Sequence, residues 1–344
     1  MKKVLALVLA VVLALGLVAC GAASSTASTA TSTASSTAAP AGESYTFRYA
    51  ENQPEDYPTT QAAYKFAEIV KEKSGGRITI EVYAGAQLGD EKSIIEQIQL
   101  GTIDFTRVSI SPLSEFNKAL NVLQMPYLYT NAEQMWRVLD GEIGEKYLND
   151  MESSNMYGLS WFDAGSRNFY NSVRPVTTLE DMKGLKIRVQ ESSLMMGMVK
   201  ALGAEPTPMA YGEVYSSLQN GTIDGAENNW PSYESTSHYE VAKYFVLDEH
   251  TRVPEMQLIS KATMDKLSAE DQQIIRDAAK EAATYERELW AAREKASEEA
   301  VRAGGAEITE LADGELEKFQ AAMQPLYDEF CADYTDIVDA IRAA

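Results

Sequence analysis

Gln99-Leu-Gly-Thr-Ile-Asp104 recurs further along the chain as Gln219-Asn-Gly-Thr-Ile-Asp224, with five of the six residues identical. Each copy predicts a helix that ends at the glycine, because glycine readily takes the left-handed conformation found just past helix ends, and then a strand that starts at Ile-Asp. The repetition predicts two similarly built lobes, although helix–glycine–strand is a common join and chance is the alternative. Ligands of open parallel sheets lie beyond the carboxyl ends of the strands, so two facing sheets predict a cleft between the lobes.

The residues before the first copy alternate between strand and helix patterns. Period-two alternation predicts strands at Tyr45–Ala50 and Arg77–Tyr83, and Asp104-Phe105 begins a third strand. One amphipathic helix separates the first two strands, and a second runs from Leu88–Leu100 with Asp90 as its N-cap. This order predicts α/β lobes with mostly parallel sheets and crossover helices.

A long helix is predicted near the carboxyl end. Ser268 and Asp271 form a capping-box pattern, and helical spacing of apolar residues continues to about Ala303, before Gly304-Gly305. About 35 residues at about 1.5 Å each give roughly 50 Å, so we expect this helix to span both lobes. The sequence pattern of residues 314–344 predicts further amphipathic helix at the surface.

Composition limits the classes of function. The chain has 344 residues, a length for which two domains are expected, and 30 Lys+Arg against 51 Asp+Glu give a net charge of −21. Such an acidic chain is repelled by phosphate backbones, which argues against nucleic acid as a partner. Two cysteines and two histidines leave little material for a zinc site, an iron–sulfur cluster or a disulfide framework, and we expect no cofactor.

The first 44 residues have the pattern of an export signal and a tether. Lys2 and Lys3 precede an apolar run from Val4 to Leu15, which predicts a signal peptide over residues 1–19. Leu17-Val18-Ala19-Cys20-Gly21 resembles the lipobox of bacterial lipoproteins, which implies lipidation of Cys20 and attachment to the outer face of a cell membrane. A plain secretory signal with an incidental cysteine is the alternative. The Ala/Ser/Thr-rich residues 20–44 then predict a flexible tether.

Enzyme signatures are scarce in this sequence. It contains no Walker loop, no Gly-x-Gly-x-x-Gly opening a helix, no His-Glu-x-x-His and no Gly-x-Ser-x-Gly. His238 and His250 are the only imidazoles, and a hydrogen-bonding or surface role is expected for each rather than general-base catalysis. Once Cys20 is lipidated, Cys331 is the only thiol, and beside Phe330 it is expected to pack in the interior.

The chemistry-bearing residues concentrate in the region 164–256. Leu185–Val189 alternates as a strand, and Arg188 lies on the face opposite Ile187 and Val189, close to the strand's carboxyl end. A guanidinium at that position suits a carboxylate, which it binds with two parallel hydrogen bonds. Asn228 and Asn229 end the second repeat strand, where amides can bind hydroxyls or carboxylate oxygens. Tyr211 and Trp230 could offer apolar faces to a sugar ring, with core packing as the alternative.

Several stretches, in this order, resemble the solute-binding subunits of tripartite ATP-independent periplasmic (TRAP) transporters, the DctP family. The similarity extends from about Tyr45 to Gln324. It is carried by Gln87-Leu-Gly-Asp-Glu91, Leu123-Gln-Met-Pro-Tyr-Leu128, Leu179 to Val189, Pro206-Thr-Pro-Met, Glu213-Val-Tyr, Ile223-Asp-Gly-Ala-Glu-Asn228 and His238-Tyr-Glu-Val-Ala-Lys243.

The resemblance implies a two-lobed, periplasmic-binding-protein-like α/β fold that closes on a ligand, with a long helix spanning both lobes. We place lobe I at residues 45–164 plus about 254–293, and lobe II at 165–253 plus about 294–344. The family's carboxylate-binding arginine follows Gly-Leu-Lys-Ile, which matches Arg188. The other ligand-binding positions match Arg167, Asn228, Asn52, Glu91 and Tyr211, and beyond Asp104 either Arg107 or Ser109 takes the ligand-facing place.

The resemblance also implies the function. It predicts an extracytoplasmic binding protein, not an enzyme, that captures a small organic acid and delivers it to membrane transporter subunits. The sequence of residues 228–233 resembles members that bind uronic and aldonic acids, and C4-dicarboxylates are the alternative. An extracellular enzyme acting on uronates, a sensory domain and the binding subunit of an ATP-driven transporter remain as rivals from other classes.

Overall fold

The computed structural model describes residues 42–344. The signal peptide predicted over 1–19, the lipidation of Cys20 and the tether up to residue 41 therefore lie outside the described residues. From residue 43 to the carboxyl terminus the chain forms one compact unit.

Strands and helices alternate along most of this unit. The strands are β1 Tyr45–Ala50, β2 Ile78–Tyr83, β3 Phe105–Ser109, β4 Met156–Phe162, β5 Ser166–Asn171, β6 Lys186–Val189, β7 Glu205–Pro208, β8 Gly225–Asn228, β9 Tyr244–Leu247, β10 Thr251–Arg252, β11 Glu255–Ser260 and β12 Glu307–Glu310. The α-helices are α1 Pro58–Lys73, α2 Glu91–Leu100, α3 Ile110–Leu113, α4 Ala132–Leu139, α5 Glu142–Asn149, α6 Ser193–Ala201, α7 Val214–Gln219, α8 Trp230–Ser235, α9 His238–Val241, α10 Lys261–Met264, α11 Ala269–Ala303, α12 Glu315–Ala322, α13 Gln324–Phe330 and α14 Thr335–Ala343. Short 3₁₀ turns occupy Lys118–Leu123, Asp150–Ser154, Leu179–Met182 and Tyr211–Glu213.

The strands form two sheets, and each sheet is the centre of one lobe. The first sheet has the order β2-β1-β3-β11-β4, and the second has the order β12-β9-β5-β8-β6-β7, with β10 paired to β5. All first-sheet strands lie within residues 45–162 and 255–260, and the second-sheet strands lie within 166–252 and 307–310. The lobe bounds given above, with their assignment of the loops and carboxyl-terminal helices, stay a prediction.

The sheets are mixed, so the prediction of mostly parallel sheets was wrong. As expected, β1 is parallel to both β2 and β3. However, β11 is antiparallel to β3 and β4, and β5 is antiparallel to β8 and β9. Both β5 and β11 enter their sheet directly from the other lobe, and a strand that arrives this way needs no crossover helix to pair antiparallel.

The chain passes between the lobes at two short segments and along one helix. Residues 163–165 connect β4 to β5, residues 253–254 connect β10 to β11, and α11 contacts α1 and β4 in the first lobe and α8 in the second. Its Ile275 packs in the first-lobe core and its Val301 in the second-lobe core. The predicted long helix is confirmed, with Ser268 as its N-cap accepting from the backbone N–H of Asp271.

The repeated hexapeptide has the predicted structure in both copies. Asp90 caps α2 by accepting from the N–H of Ser93, and Gly101 ends that helix with φ at +72°. Gly221 follows α7 with φ at +74°, a conformation that favours glycine. Each glycine turns the chain toward a strand, β3 in the first copy and β8 in the second. The repeat therefore marks the same helix-to-strand join in both lobes.

The carboxyl-terminal segment differs from a single amphipathic helix. It forms the three short helices α12, α13 and α14, because Pro325 can occupy the first turn of α13 but cannot continue α12. Cys331 is buried in the main hydrophobic core, and burial raises the pKa of its thiol to about 11. Within residues 42–344 no helix is both long and apolar enough to cross a bilayer, and no group of three or more His, Cys, Asp or Glu side chains is placed to hold a metal ion.

Candidate functional site

Two cavities that share lining residues lie between the lobes, and a third, lined by Glu96 and Pro208 among others, adjoins the outer one. The inner cavity is small, about 20 Å³, and the outer cavity is about 230 Å³. They share the lining residues Asn52, Glu91, Arg188, Gln190 and Tyr211. The inner volume is about the space of one water molecule, so a larger ligand requires the two walls to separate.

The inner cavity brings together eight of the nine predicted ligand-binding residues. They come from both lobes and from seven different segments of the chain. They are Asn52, Glu91, Arg107, Arg167, Arg188, Tyr211, Asn228 and Asn229.

Arg188 is held in the cavity wall by its strand and by one carbonyl group. Its neighbours Ile187 and Val189 point into the hydrophobic core, so the alternation of β6 directs Arg188 to the opposite face. The side chain is 3% exposed, and its Nε and Nη2 donate to the carbonyl oxygen of Met209 at 3.0 and 2.7 Å. This contact fixes the plane of the guanidinium group.

Arg188 has no carboxylate partner within 4.0 Å among residues 42–344. Burial, and then the positive charge of Arg167, lower its pKa from the ordinary value, with Glu227 acting in the opposite direction. Arginine stays protonated in proteins, so this is a buried cation without an ion pair. An uncompensated buried charge is costly, and an anion bound at Arg188 would relieve that cost.

Arg167 is already paired. It lies on β5, and its Nη2 donates to Oε1 of Glu227 at 2.8 Å while its Nε donates to Oε2 of the same carboxylate. Its Nη1 donates to the amide oxygen of Asn228 at 3.0 Å. The guanidinium group of Arg167, then the hydrogen bond from His250, lower the pKa of Glu227 to about 2 against its burial. Arg167 is therefore rigidly placed beside Arg188, with part of its hydrogen-bonding capacity used inside the protein.

Arg107 is the centre of a second charged group, which we call the Arg107 cluster: Arg107, Glu51, Glu91 and Glu255. The guanidinium is 1% exposed and lies 2.6 Å from Glu255 and 3.5 Å from Glu91, and it binds Glu51 with two hydrogen bonds. Its Nη2 also donates to the amide oxygen of Asn52 at 2.8 Å. Three carboxylates thus surround one cation in the first-lobe wall.

The family description "Bacterial extracellular solute-binding protein, family 7", DctP, matches residues 49–333. The chain belongs to this family. A solute-binding protein of Chromohalobacter salexigens is 44% identical over 294 residues, which cover 83% of this chain and 87% of the relative.

Solved structures of DctP proteins have the same fold. A TRAP periplasmic solute-binding protein from a Bradyrhizobium species, in complex with D-galacturonate, has a TM-score of 0.85 and 42% identity, covering 87% of this chain and 100% of that chain. Another, from Chromohalobacter salexigens with bound D-glucuronate, has a TM-score of 0.83 and 42% identity, covering 86% and 99%. The two-lobed fold with a long helix, predicted from the sequence, is confirmed.

The structure decides which residue beyond Asp104 faces the cavity of this DctP protein. Arg107 lines the inner cavity, whereas Ser109 does not. The backbone N–H of Ser109 donates to Oε1 of Glu91 at 2.9 Å, and its hydroxyl lies 3.4 Å from the amide oxygen of Gln190. Ser109 therefore positions Glu91 from behind.

Trp230 does not line either cavity, so its predicted place against a sugar ring was wrong. Asn229 caps α8 by accepting from the N–H of Ser232, which makes Trp230 the first residue of the helix. The indole is buried and stacks on Phe245 with ring centroids 4.1 Å apart. The alternative of core packing holds for Trp230, while Tyr211 lines both cavities.

Four inner-cavity residues were not among the predicted ligand-binding residues: Gln53, Gln190, Ser232 and Glu255. Glu255 begins β11, where the chain returns to the first lobe, and its placement depends on that long-range pairing with Ser109. Burial, and then the charges of Glu91 and Glu51, raise the pKa of Glu255 to about 8 although Arg107 lowers it. Gln190 directly follows β6, two residues after Arg188. This position at the carboxyl end of the strand was the one signal in the sequence that Gln190 lines the cavity.

Both histidines are buried and hydrogen-bonded, which excludes the surface alternative. His250 lies between Asp248 at 2.9 Å and Glu227 at 3.4 Å, and it stacks on Phe169 with centroids 4.1 Å apart. His238 Nδ1 lies 2.8 Å from the hydroxyl of Tyr170. Burial, with the charge of Arg188, lowers the pKa of His238 to about 3, so this imidazole is neutral at physiological pH.

Proposed function

We propose that this DctP protein captures a hexuronate, such as D-galacturonate or D-glucuronate, and delivers it unchanged to the membrane subunits of a TRAP transporter. The single observation that carries the proposal is Arg188, a buried guanidinium that faces the interlobe cavity without a carboxylate partner in the described chain. The bound uronates of the structural relatives, at about 42% identity, support the choice of acid.

Arg188 binds the carboxylate of the ligand. Since Met209 occupies Nε and Nη2 from one side, the remaining N–H groups of the fork are directed to other acceptors, and Nη1 has no recorded partner in the described chain. Arg167 lies beside it and adds positive charge, although Glu227 neutralises much of that charge. The amide of Asn228, which accepts from Arg167 and from the N–H of Asn229, keeps its NH₂ group for an acid or hydroxyl oxygen of the ligand.

The first-lobe wall binds the hydroxyl end of the ligand. Oε2 of Glu91 and the NH₂ group of Asn52 have no recorded partner among residues 42–344, and both side chains line both cavities. A carboxylate oxygen accepts from hydroxyls and an amide NH₂ donates to them, so together they suit a sugar carrying several hydroxyls. Tyr211 offers a ring to the apolar face of the pyranose.

Closure of the lobes completes the site. Arg188 and Asn228 belong to the second lobe, whereas Asn52, Glu91 and Arg107 belong to the first. A ligand that contacts both walls favours the closed arrangement, because only then are all its contacts made. Closure also excludes water, which strengthens the pairing of guanidinium and carboxylate.

The acidic surface makes the local charge of the cavity important. A net charge of −21 repels an anionic ligand at long range. At physiological salt this repulsion is screened beyond about 8 Å, so the two arginines of the second-lobe wall dominate once the acid has entered. We expect association to become faster as salt concentration rises.

The amino-terminal pattern supports attachment near the transporter. Lipidation of Cys20 would hold the binding protein at the outer face of the membrane, and the tether over residues 20–44 would allow the folded part an r.m.s. reach of about 25 Å. Mass spectrometry of the mature protein, expecting a diacylglyceryl-modified amino-terminal cysteine, tests this part. A mature chain beginning elsewhere would contradict it.

The function is tested by calorimetric titration of D-galacturonate, D-glucuronate and succinate into the purified protein. We expect micromolar or tighter binding of a uronate, weaker binding of succinate, and more than about 100-fold loss for Arg188→Ala, since breaking a buried ion pair costs about 3–5 kcal/mol. Arg188→Lys keeps the charge but loses the planar fork, and should bind about tenfold more weakly than the wild type.

The matched control is Arg137→Ala, because Arg137 is an exposed arginine on α4 that pairs with Glu133 away from the cavities. It should bind as the wild type does. Absence of uronate binding by the wild type, or an Arg188→Ala variant that binds with unchanged affinity, would overturn the proposed function. Chromatography of the uronate after incubation should recover it chemically unchanged.

A further inference from the structure

The two walls of the inner cavity carry opposite excess charge. In the second-lobe wall, Arg167 and Arg188 both line the cavity, and only Arg167 has a carboxylate partner, the buried Glu227. In the first-lobe wall, the Arg107 cluster places three carboxyl groups around one guanidinium. Burial raises the pKa of Glu255 to about 8, so at pH 7 the negative charge facing Arg107 comes from Glu51 and Glu91. A ligand between these walls therefore has a cationic surface at one end and an acidic surface at the other.

Glu91 is the member of the Arg107 cluster that is most available to a ligand. Glu51 is fully buried and accepts two hydrogen bonds from Arg107, and Glu255 contacts Arg107 at 2.6 Å. Glu91 lines both cavities and uses only Oε1 inside the protein, accepting from the N–H of Ser109 and from Arg107. Its Oε2 thus has no recorded partner in the part of the chain that the structure describes.

Arg107 cannot receive a second carboxylate in the way that Arg188 receives the first. Its Nε and Nη2 are bound by Glu51, Nη2 is also bound by Asn52, and Nη1 lies against Glu255 and Glu91. Each nitrogen of this guanidinium thus already lies against an acceptor in the protein. A negatively charged group placed here would meet the carboxylate of Glu91 without a free cation to balance it.

We propose that Glu91 makes this cavity selective for acids with a single carboxylate, by accepting hydrogen bonds from hydroxyls at the far end of the ligand and repelling a second carboxylate there. The inference rests on the proposed function and deepens it, since it names the class of acid that the site rejects. Like charges brought together in a dehydrated cavity repel each other strongly, whereas a hydroxyl donates a hydrogen bond to the same oxygen.

The test compares two acyclic acids that differ only at the far end. Galactonate ends in a CH₂OH group, and galactarate has the same six-carbon chain with a carboxylate in that place. By calorimetry at pH 7, we expect the wild-type protein to bind galactonate at least roughly 30-fold more tightly than galactarate, a lower bound because a like-charge contact at about 4 Å and an effective dielectric constant of about 20 corresponds to roughly a thousandfold. D-Galacturonate is titrated in parallel as the reference ligand.

Glu91→Gln removes the charge and keeps an oxygen for the N–H of Ser109. We expect this variant to lower the ratio of galactonate to galactarate affinity by about tenfold, mainly through tighter binding of galactarate. The matched control is Glu72→Gln on α1 of the same lobe, because Glu72 is exposed and lines none of the cavities between the lobes. Its affinity ratio should equal that of the wild type, and thermal melting verifies that both variants are folded.

The outcomes separate the two hypotheses. If the wild type binds D-galacturonate but binds galactonate no more tightly than galactarate, the selectivity inference is overturned and the proposed function stands. If Glu91→Gln weakens both acids by the same factor, Glu91 has only a structural or general binding role and the inference is again overturned. Failure of every uronate to bind overturns the proposed function itself, and the wild-type comparison gives this answer even if the variant does not fold.

Discussion

The backbone N–H of Asp163 donates to Oε2 of Glu286 at 2.9 Å. This bond joins the segment that passes between the lobes to the middle of the long helix α11. Glu286 is fully buried, its Oε1 has no hydrogen-bond partner, and no lysine or arginine forms an ion pair with it in the described chain. The connection between the lobes thus includes a buried carboxyl group with one oxygen that has no hydrogen-bond partner.

Glu286→Gln should reduce the pH dependence of stability. Burial, then the charge of Asp163, raise the pKa of Glu286 well above its ordinary value of 4.5. The native state therefore holds a proton that the unfolded chain releases above pH 4.5, so stability falls as pH rises toward the native pKa, by about 1.4 kcal/mol per pH unit. Glutamine has the same shape without this linkage.

Urea unfolding at pH 5, 6.5 and 8 checks this expectation. The wild type should lose stability across the series more steeply than Glu286→Gln, and the variant should be the more stable protein at pH 8. Glu281→Gln is the control, because Glu281 lies on the same helix, is about half exposed and pairs with Lys73. Parallel curves for the wild type and Glu286→Gln would contradict the assignment of a neutral, buried carboxyl group.

Gly165→Ala should destabilise the protein at the same connection. Gly165 has φ at +60°, and an added Cβ would meet Oε1 of Glu294 and lie 3.3 Å from the ring of Trp290. We expect a loss of about 1–2 kcal/mol from the left-handed backbone and about 1–3 kcal/mol more from the crowding. Gly184→Ala provides the control for the backbone term alone, because Gly184 has φ at +74° and nothing within 4 Å of the added Cβ.

Chemical denaturation of both glycine variants gives the comparison. Gly165→Ala should be the less stable by at least about 1 kcal/mol, which is the part due to packing between the linker and α11. Equal stability of the two variants would mean that Glu294 and Trp290 move aside freely. In that case the linker is not tightly packed against the long helix.

The position of Arg188 could be predicted because it follows from local alternation. Ile187 and Val189 occupy the core face of a four-residue strand, and the residue between them must point the other way. The structure of the repeated hexapeptide could also be predicted from local sequence. The residue just past a helix end often takes a left-handed backbone conformation, which favours glycine. Such features need no knowledge of the other lobe.

Glu255 could not be predicted in the same way. It reaches the cavity because β11 arrives from the second lobe and pairs antiparallel with β3, so that Glu255 lies opposite Ser109. The pattern of strands and helices indicated parallel sheets and gave no sign of a returning strand. Likewise the partners that occupy Arg107 come from three separate segments, and only the tertiary fold shows that its donors are already used.

Trp230 was misplaced because of one side-chain cap. Asn229 ends the extended segment and caps α8, so the chain turns at once into a helix whose first residue points into the second-lobe core. The signal was present in the sequence, since asparagine is a favoured N-cap residue and proline is tolerated in the first turn of a helix, where Pro231 lies.

Trp230→Phe should therefore affect stability rather than binding. The substitution shortens a buried ring that stacks on Phe245, and we expect the free energy of unfolding to fall by about 1–3 kcal/mol. Uronate affinity should stay within about threefold of the wild type, because the indole lies outside both cavities. Tyr211→Ala gives the opposite pattern, with affinity at least about fivefold weaker through loss of the ring against the sugar. Denaturation measures the free energy of unfolding of both variants, and calorimetry measures their affinity for the uronate. A large loss of affinity in Trp230→Phe at unchanged stability would show that the indole contacts the ligand.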